Sequence, residues 1–231
     1  MKKNPVVCIA FSLLIIVAGL LPIQGHAQVV NEATKRRVVI GVGMIEDIWF
    51  GTPRGIKIRT INQGFQGFAM YNVPFGKSNF GFAIGLGFRV HNLFGNFIVK
   101  STSDSTTFIA IDTMNIDYKR SKLTLPIIEL PIEFRFKSRS KVALGIGFKV
   151  GYLLPAHTKY VGDNYDPKNG EKLRVKYREI KNLEQFSYGP TLRIGYRWFH
   201  LNAYYSLSTL FTKNKGPEMY PLSVGFLLMP F

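Results

Sequence analysis

The amino-acid sequence predicts an all-β protein, an eight-stranded antiparallel up-and-down transmembrane β-barrel. Three observations carry this expectation. Eight segments alternate large apolar residues with small or charged ones at period two. An N-terminal export leader is followed by no further run of 18 apolar residues, so a membrane crossing requires a closed barrel. The connections between the segments alternate between long and short, as they do in outer-membrane barrels.

The leader comes first. Lys2 and Lys3 precede an apolar stretch over 6–21 broken only by Ser12 and Gly19, and Gly25-His26-Ala27 offers small residues at the two positions that a signal peptidase reads. Cleavage is expected after Ala27, dividing the chain into a signal peptide over 1–27 and a barrel domain over 28–231. A retained membrane helix is the competing reading, but the apolar core is short for the roughly 20 residues a span needs. Gln28 rather than cysteine follows the cut, so no lipid anchor is expected, and the single cysteine, Cys8, leaves with the leader. No thiolate metal site and no cofactor are expected. Without Lys2 and Lys3 the 30 basic residues fall to 28, against 14 acidic ones, a net charge of +14. Export argues against nucleic acid as the partner of this charge. Outer-membrane lipid, with lipopolysaccharide phosphate as the anionic surface, is the natural one.

The strands follow in order. Val38, Ile40, Val42 and Met44 alternate around Gly41 and Gly43, and 67–73 supplies the weakest segment, placed as the partner this topology needs. Over 80–90, Phe80, Phe82, Ile84, Leu86, Phe88 and Val90 oppose Gly81, Ala83, Gly85, Gly87 and Arg89. Over 128–136, Ile128, Leu130, Ile132, Phe134 and Phe136 oppose Glu129, Pro131, Glu133, Arg135 and Lys137. The segments 141–152 and 186–198 repeat the pattern, with Lys149 and Arg193 on their less apolar faces, and 199–211 and 222–231 complete the eight. Alternation alone does not separate a membrane barrel from a soluble sheet. The less apolar face does: it is built of Gly, Ala and Ser with scattered charges, which suits the narrow interior of an eight-stranded barrel.

Long connections over 51–63, 91–120 and 155–185, and one of about eight residues around Lys215-Gly216-Pro217, alternate with short turns near Gly76, at Ser138-Arg139-Ser140 and at Trp198-Phe199. Short turns are expected in the periplasm, which places both mature termini there. Within the third long connection, Lys172-Leu173-Arg174-Val175-Lys176-Tyr177-Arg178 alternates with a wholly basic face, read as a strand rising above the membrane rather than a helix. Phe231 closes the last strand as the expected signal for the barrel-insertion machinery. Yet Leu222, Val224, Phe226 and Leu228 lie one residue out of register with it, and Pro230 intervenes.

Two stretches resemble the small PorT-type outer-membrane β-barrel proteins of Bacteroidota. One is Leu125-Pro126-Ile127-Ile128-Glu129-Leu130-Pro131-Ile132-Glu133-Phe134-Arg135-Phe136. The other is the final hairpin, Tyr205-Ser206-Leu207-Ser208-Thr209-Leu210-Phe211 followed by Lys215-Gly216-Pro217-Glu218-Met219-Tyr220-Pro221-Leu222-Ser223-Val224-Gly225. The resemblance runs from about Arg36 to Phe231. It implies this fold and an outer-membrane location; some members of that family are implicated in type IX secretion and gliding.

Candidate sites are few. His91 is the best catalytic candidate, facing the lumen just beyond Arg89, but no serine or carboxylate has a defined place beside it, so no catalytic residue is assigned and the protein is not expected to be an enzyme. Pairing Lys137 with Lys141 across the 138–140 turn sets Glu129 opposite Lys149, a lumen charge pair. Arg54, Lys57 and Arg59 in the first loop, with Lys172, Arg174, Lys176 and Arg178 in the third, are candidates for contact with lipopolysaccharide or an envelope protein partner. The expected function is a structural or interaction role in the envelope, possible service to protein secretion included, around a narrow side-chain-filled lumen. A small-solute or ion pore is the alternative, and a lipid-modifying enzyme at the external rim ranks below both.

Overall fold

A computed structural model describes residues 37–111, 117–164 and 172–229. The chain divides into units over 1–35 and 36–231, and the described residues belong to the second. The expected leader and the terminal Pro230 and Phe231 lie outside the described residues.

Twelve strands form: β1 (Val38–Phe50), β2 (Gln63–Pro74), β3 (Phe80–Phe94), β4 (Phe97–Ser101), β5 (Thr106–Ala110), β6 (Tyr118–Lys137), β7 (Val142–Leu153), β8 (His157–Asp163), β9 (Lys172–Tyr177), β10 (Phe186–Tyr196), β11 (Phe199–Tyr205) and β12 (Tyr220–Leu228). Eight of them make the barrel, in the order β3-β2-β1-β12-β11-β10-β7-β6, and β3 pairs with β6 to close it. All these pairings are antiparallel, each to the next barrel strand along the chain, apart from the β1–β12 seam.

The period-two pattern is realised as two environments. Phe226, Ile146, Phe134 and Phe199 are among the large apolar side chains left exposed on the outer wall, while Glu129, Glu133, Arg89 and Lys149 are buried within. Aromatic pairs mark both ends of the outer wall. Phe80–Phe136 and Phe82–Phe134 lie near the short turns, and Phe50–Tyr220, Tyr205–Tyr220 and Tyr152–Phe186 lie near the long loops. Two such girdles bounding an apolar band are what a bilayer-spanning barrel needs at its interfaces.

The short connections are 75–79, 138–141 and 197–198, and the long ones are 51–62, 95–117, 154–185 and 206–219. At the 138–141 turn the register differs from the expected one. Lys141 N donates to Ser138 O (3.0 Å) and Ser138 N to Val142 O (2.8 Å), a tight turn that ends on Lys141 at φ 66°. The loop therefore opens one residue later than expected, and Lys137 pairs with Ala143 instead of Lys141. A lysine in the left-handed region is strained. Lys141→Gly is expected to raise stability by about 1 kcal/mol, read as a higher urea midpoint.

The long loops are folded. β4 and β5 form a hairpin in the second, and β8 and β9 extend the wall in the third, with β8 continuing the line of β7 along the upper part of β6. The basic segment is thus a strand over Lys172–Tyr177, β9, standing above the barrel, with Arg178 directly after it. Trp49, Leu93, Phe97, Leu123, Leu125, Ala156 and Met219 bury one another at this end, with Ile58, Phe108, Ile180 and Leu210 packed against them. Ser121 donates to Phe97 O, and the Phe97, Phe108 and Phe211 rings meet edge to face, so an apolar lid covers the mouth.

Candidate functional site

Inward-facing residues of β3, β6, β7 and β10 meet in the lumen because period two sends Arg89, Glu129, Glu133, Arg135, Lys149 and Arg193 to the same side of their strands. They sort into two carboxylate-centred groups. Glu129 receives Lys149 Nζ at 2.9 Å and Arg89 Nε at 3.3 Å. Glu133 receives Arg135 Nε at 3.0 Å and Arg193 Nη2 at 2.8 Å. The cations also face rings: the Arg89 guanidinium lies 3.9 Å from the Tyr204 ring centre, and that of Arg193 4.5 Å from Phe68. Arg89 and Arg193 thus each share a carboxylate and rest on an aromatic face, which compensates part of the desolvation of a buried charge.

Lys149 and Glu129 are in contact although they are not opposite one another. Glu129 pairs with Gly151 and Lys149 with Pro131, so the bridge runs diagonally. A shift of two residues keeps both side chains on the lumen face, and a lysine spans the diagonal distance.

Above this layer, His91 Nδ1 lies 2.8 Å from Asp47 Oδ1, which also accepts from Ser223 Oγ at 2.6 Å, and the Trp49 ring meets His91 edge-on. The carboxylate beside His91 is therefore Asp47, on the first strand. Ser101 is in the lid, its hydroxyl 2.8 Å from that of Thr106. A small cavity of about 30 Å³ beside His91 is also lined by Tyr204, Ser206 and Ser208. Below the ion layer, Val39, Phe68, Met70, Ala83, Leu227 and Met229 pack together inside the barrel. The lumen is thus occupied at three levels: an apolar floor, paired charges and an apolar lid.

The outer basic candidates separate. Arg174 and Lys176 share one face of β9. Lys172 stands opposite Asp163, Arg178 follows the strand, and Arg54 is exposed in the first loop. The backbone of Lys57 is pinned to the second loop by Asn96, whose Oδ1 accepts from Lys57 N at 2.6 Å. Arg59 is carried onto the barrel wall, its backbone N–H donating to Phe94 O (2.8 Å) and its guanidinium 5.7 Å from the Phe94 ring centre. Arg120, Lys122 and Lys159, which the sequence alone did not single out, join Arg174 and Lys176 around one concavity. Among the described residues no group of three or more His, Cys, Asp or Glu side chains is placed to hold a metal ion.

A family model described as "Outer membrane protein beta-barrel domain" matches residues 28–212. No curated protein is significantly similar in sequence. Among solved structures, the chain is similar to the attachment invasion locus protein of Yersinia pestis. A complex of that protein with the heparin analogue sucrose octasulfate aligns at 13% identity, covering 84% of this chain and 98% of the other, with a TM-score of 0.41. A second structure of the same protein aligns at 14% identity over the same shares, with a TM-score of 0.39.

Proposed function

The chain belongs to the family of outer-membrane proteins built on a β-barrel domain, and on that footing we propose that it is a non-conducting envelope protein acting through its folded long-loop end. The observation that carries this reading is the lumen. Four cationic side chains, Arg89, Arg135, Lys149 and Arg193, share Glu129 and Glu133 inside it, with packed apolar groups on both sides. An eight-stranded barrel has room for its own side chains and little else. What remains for interaction is the surface of the lid and of the β8–β9 extension.

In this reading the leader is cut after Ala27, the matched family span opening at residue 28 in keeping with it, and the short turns and both termini face the periplasm. The long-loop end then faces outward, where it meets lipopolysaccharide or an envelope protein partner. The PorT-type motifs over 125–136 and in the final hairpin support a place in an envelope or secretion assembly.

Conductance in planar bilayers tests the central claim. Purified protein inserted into a bilayer is expected to give no unitary steps. Reproducible steps, abolished by antibody to the chain, would favour the small-solute or ion pore instead.

A further inference from the structure

The outer wall above the barrel carries a row of like charges held in register. Lys122 of β6 pairs with Lys159 of β8, and Lys159 pairs with Lys176 of β9. Directly paired residues share a face, with Cβ atoms about 5 Å apart, so three ammonium groups stand side by side on one sheet. One row further up, Arg120 and Arg174 flank Val161 on the same face. On the other side Lys122 pairs with Phe94, whose ring takes Lys122 Nζ at 5.4 Å and the Arg59 guanidinium at 5.7 Å. Cations therefore line a continuous strip across the wall, around a concavity of about 420 Å³ lined by Arg120, Lys122, His157, Lys159, Arg174 and Lys176.

Among the described residues, no carboxylate forms an ion pair with this strip. Their ion pairs involve Arg89, His91, Arg135, Lys149 and Arg193, and none reaches Arg120, Lys122, Lys159, Arg174 or Lys176. Lys122 is fixed by a neutral acceptor, Asn92 Oδ1, at 3.1 Å. Burial first, and then the nearby Arg120, Lys159 and Lys176, hold the Lys122 ammonium below the ordinary lysine pKa. His157 is pushed down likewise, by burial and then by Lys176, Lys122, Arg178 and Lys159. Like charges opposite one another across strands are destabilising, so a sheet that keeps three in line is built for an external anion.

The position of the row decides which anion. Even-numbered residues of β6 face outward: Phe134, Leu130 and Ile128 are exposed on the apolar band, and Lys122 continues that same face. Ile128 pairs with Tyr152, part of the upper aromatic girdle. Lys122 lies six residues beyond, about 20 Å along the strand and about 15 Å along the membrane normal at a tilt of about 40°. It stands on the lipid-facing wall, above the acyl chains, at the height to which the phosphorylated sugars of a glycolipid extend from the leaflet.

We propose that the Lys122–Lys159–Lys176 row, flanked by Arg59, Arg120 and Arg174, binds the phosphate groups of a phosphorylated glycolipid in the surrounding outer leaflet. The inference rests on the outward orientation of the long-loop end proposed above. It fixes the barrel's rotation and depth in the leaflet through a bound lipid, without any opening of the lumen.

The test uses the full mature chain, folded in detergent micelles, with binding read by native mass spectrometry. The probes are a rough lipopolysaccharide phosphorylated on its lipid A and inner-core sugars and the same glycolipid after dephosphorylation. The wild-type chain is expected to prefer the phosphorylated form at least tenfold. Lys122→Gln/Lys159→Gln/Lys176→Gln is expected to lose the preference, and Lys213→Gln/Lys215→Gln, in the exposed β11–β12 loop, to keep it. Folding of each variant is checked by unheated gel mobility. The triple variant's urea midpoint without lipid is expected not to fall, because the substitutions remove repulsion. Equal affinity for the two lipids, or a preference unchanged in the triple variant, overturns the proposal. Displacement of the lipid by inorganic pyrophosphate or dextran sulfate, at an equal concentration of anionic groups, overturns it in favour of a soluble anion. A membrane-impermeant maleimide applied to cells carrying Lys159→Cys separates the two readings. No labelling overturns the orientation and the inference together, whereas labelling without phosphate preference overturns the inference alone.

Discussion

Glu133→Ala is expected to destabilise the barrel by about 3–5 kcal/mol, the cost of leaving buried charges without their partner. Both oxygens of Glu133 are engaged, one by Arg135 and one by Arg193, and all three side chains are at least nine-tenths buried. Removing the carboxylate leaves two guanidinium groups in the same layer with no carboxylate in contact, Glu129 being held by Arg89 and Lys149. Arg135 keeps Asn72 and the Met70 sulfur, and Arg193 keeps the Phe68 ring and the Met229 sulfur at 3.4 Å. Glu133→Gln retains an acceptor while losing the charge, so a smaller loss of about 1–3 kcal/mol is expected. The decisive comparison replaces the whole group. Glu133→Leu combined with Arg135→Met and Arg193→Met removes every charge at once and is expected to lie much nearer wild type than Glu133→Ala, since a buried ion group is worth little beyond its own desolvation. Urea unfolding in phospholipid vesicles, followed by the fluorescence of Trp49 and Trp198, measures all three. A loss below about 1 kcal/mol for Glu133→Ala would show that water reaches this layer and that the lumen is not sealed.

The barrel was legible in the sequence because its two solvents are so different. Lipid outside and a crowded lumen inside force large apolar residues and small or charged ones onto opposite faces, and period two reports that directly. What stayed hidden depended on geometry that no alternation encodes. The β6–β7 register turned on the left-handed conformation of Lys141, which lysine does not advertise as glycine or asparagine would. The Asp47–His91 pair escaped because the alternation read in the first strand stops at Met44, leaving Asp47 without a face. In the barrel β1 runs on to Phe50, with Asp47 turned inward to His91 and Ser223, and Glu46 accepting from Asn62 N. The β4–β5 hairpin was missed because its strands have five residues each, too short for periodicity to stand out. The basic face of β9 was visible as a run of alternating charges, but the row it belongs to was not. Lys122, Lys159 and Lys176 are far apart in the chain and become neighbours only through two registers.

Gly43→Ala is expected to cost about 3 kcal/mol or more, at the seam where the first and last barrel strands meet. The sequence presents Gly43 as one of many small residues that keep the lumen narrow. Its place in β1 gives it a sharper role. Gly43 pairs with Leu227, and a methyl group there would overlap the carbonyl oxygen of Phe226, a backbone atom that no rotamer change moves aside. The approach is reciprocal, because a methyl group on Gly225 of β12 would overlap the carbonyl oxygen of Met44. The two strands are therefore drawn together by a glycine on each, and a side chain on either pushes apart the pair whose hydrogen bonds remove the sheet's edges. Gly67→Ala supplies the contrast. Its added methyl would meet nothing nearer than 3.7 Å, so reduced freedom of the unfolded chain leaves it neutral or stabilising by up to about 1 kcal/mol. Urea midpoints and the folded fraction on unheated gels compare the two. If both alanines behaved alike, backbone approach at the seam would not explain the loss, because Gly67 faces the outer wall away from any such contact. A loss confined to Gly43 assigns it to backbone approach at the seam, so that closure of β1 on β12 is sensitive to a single methyl group.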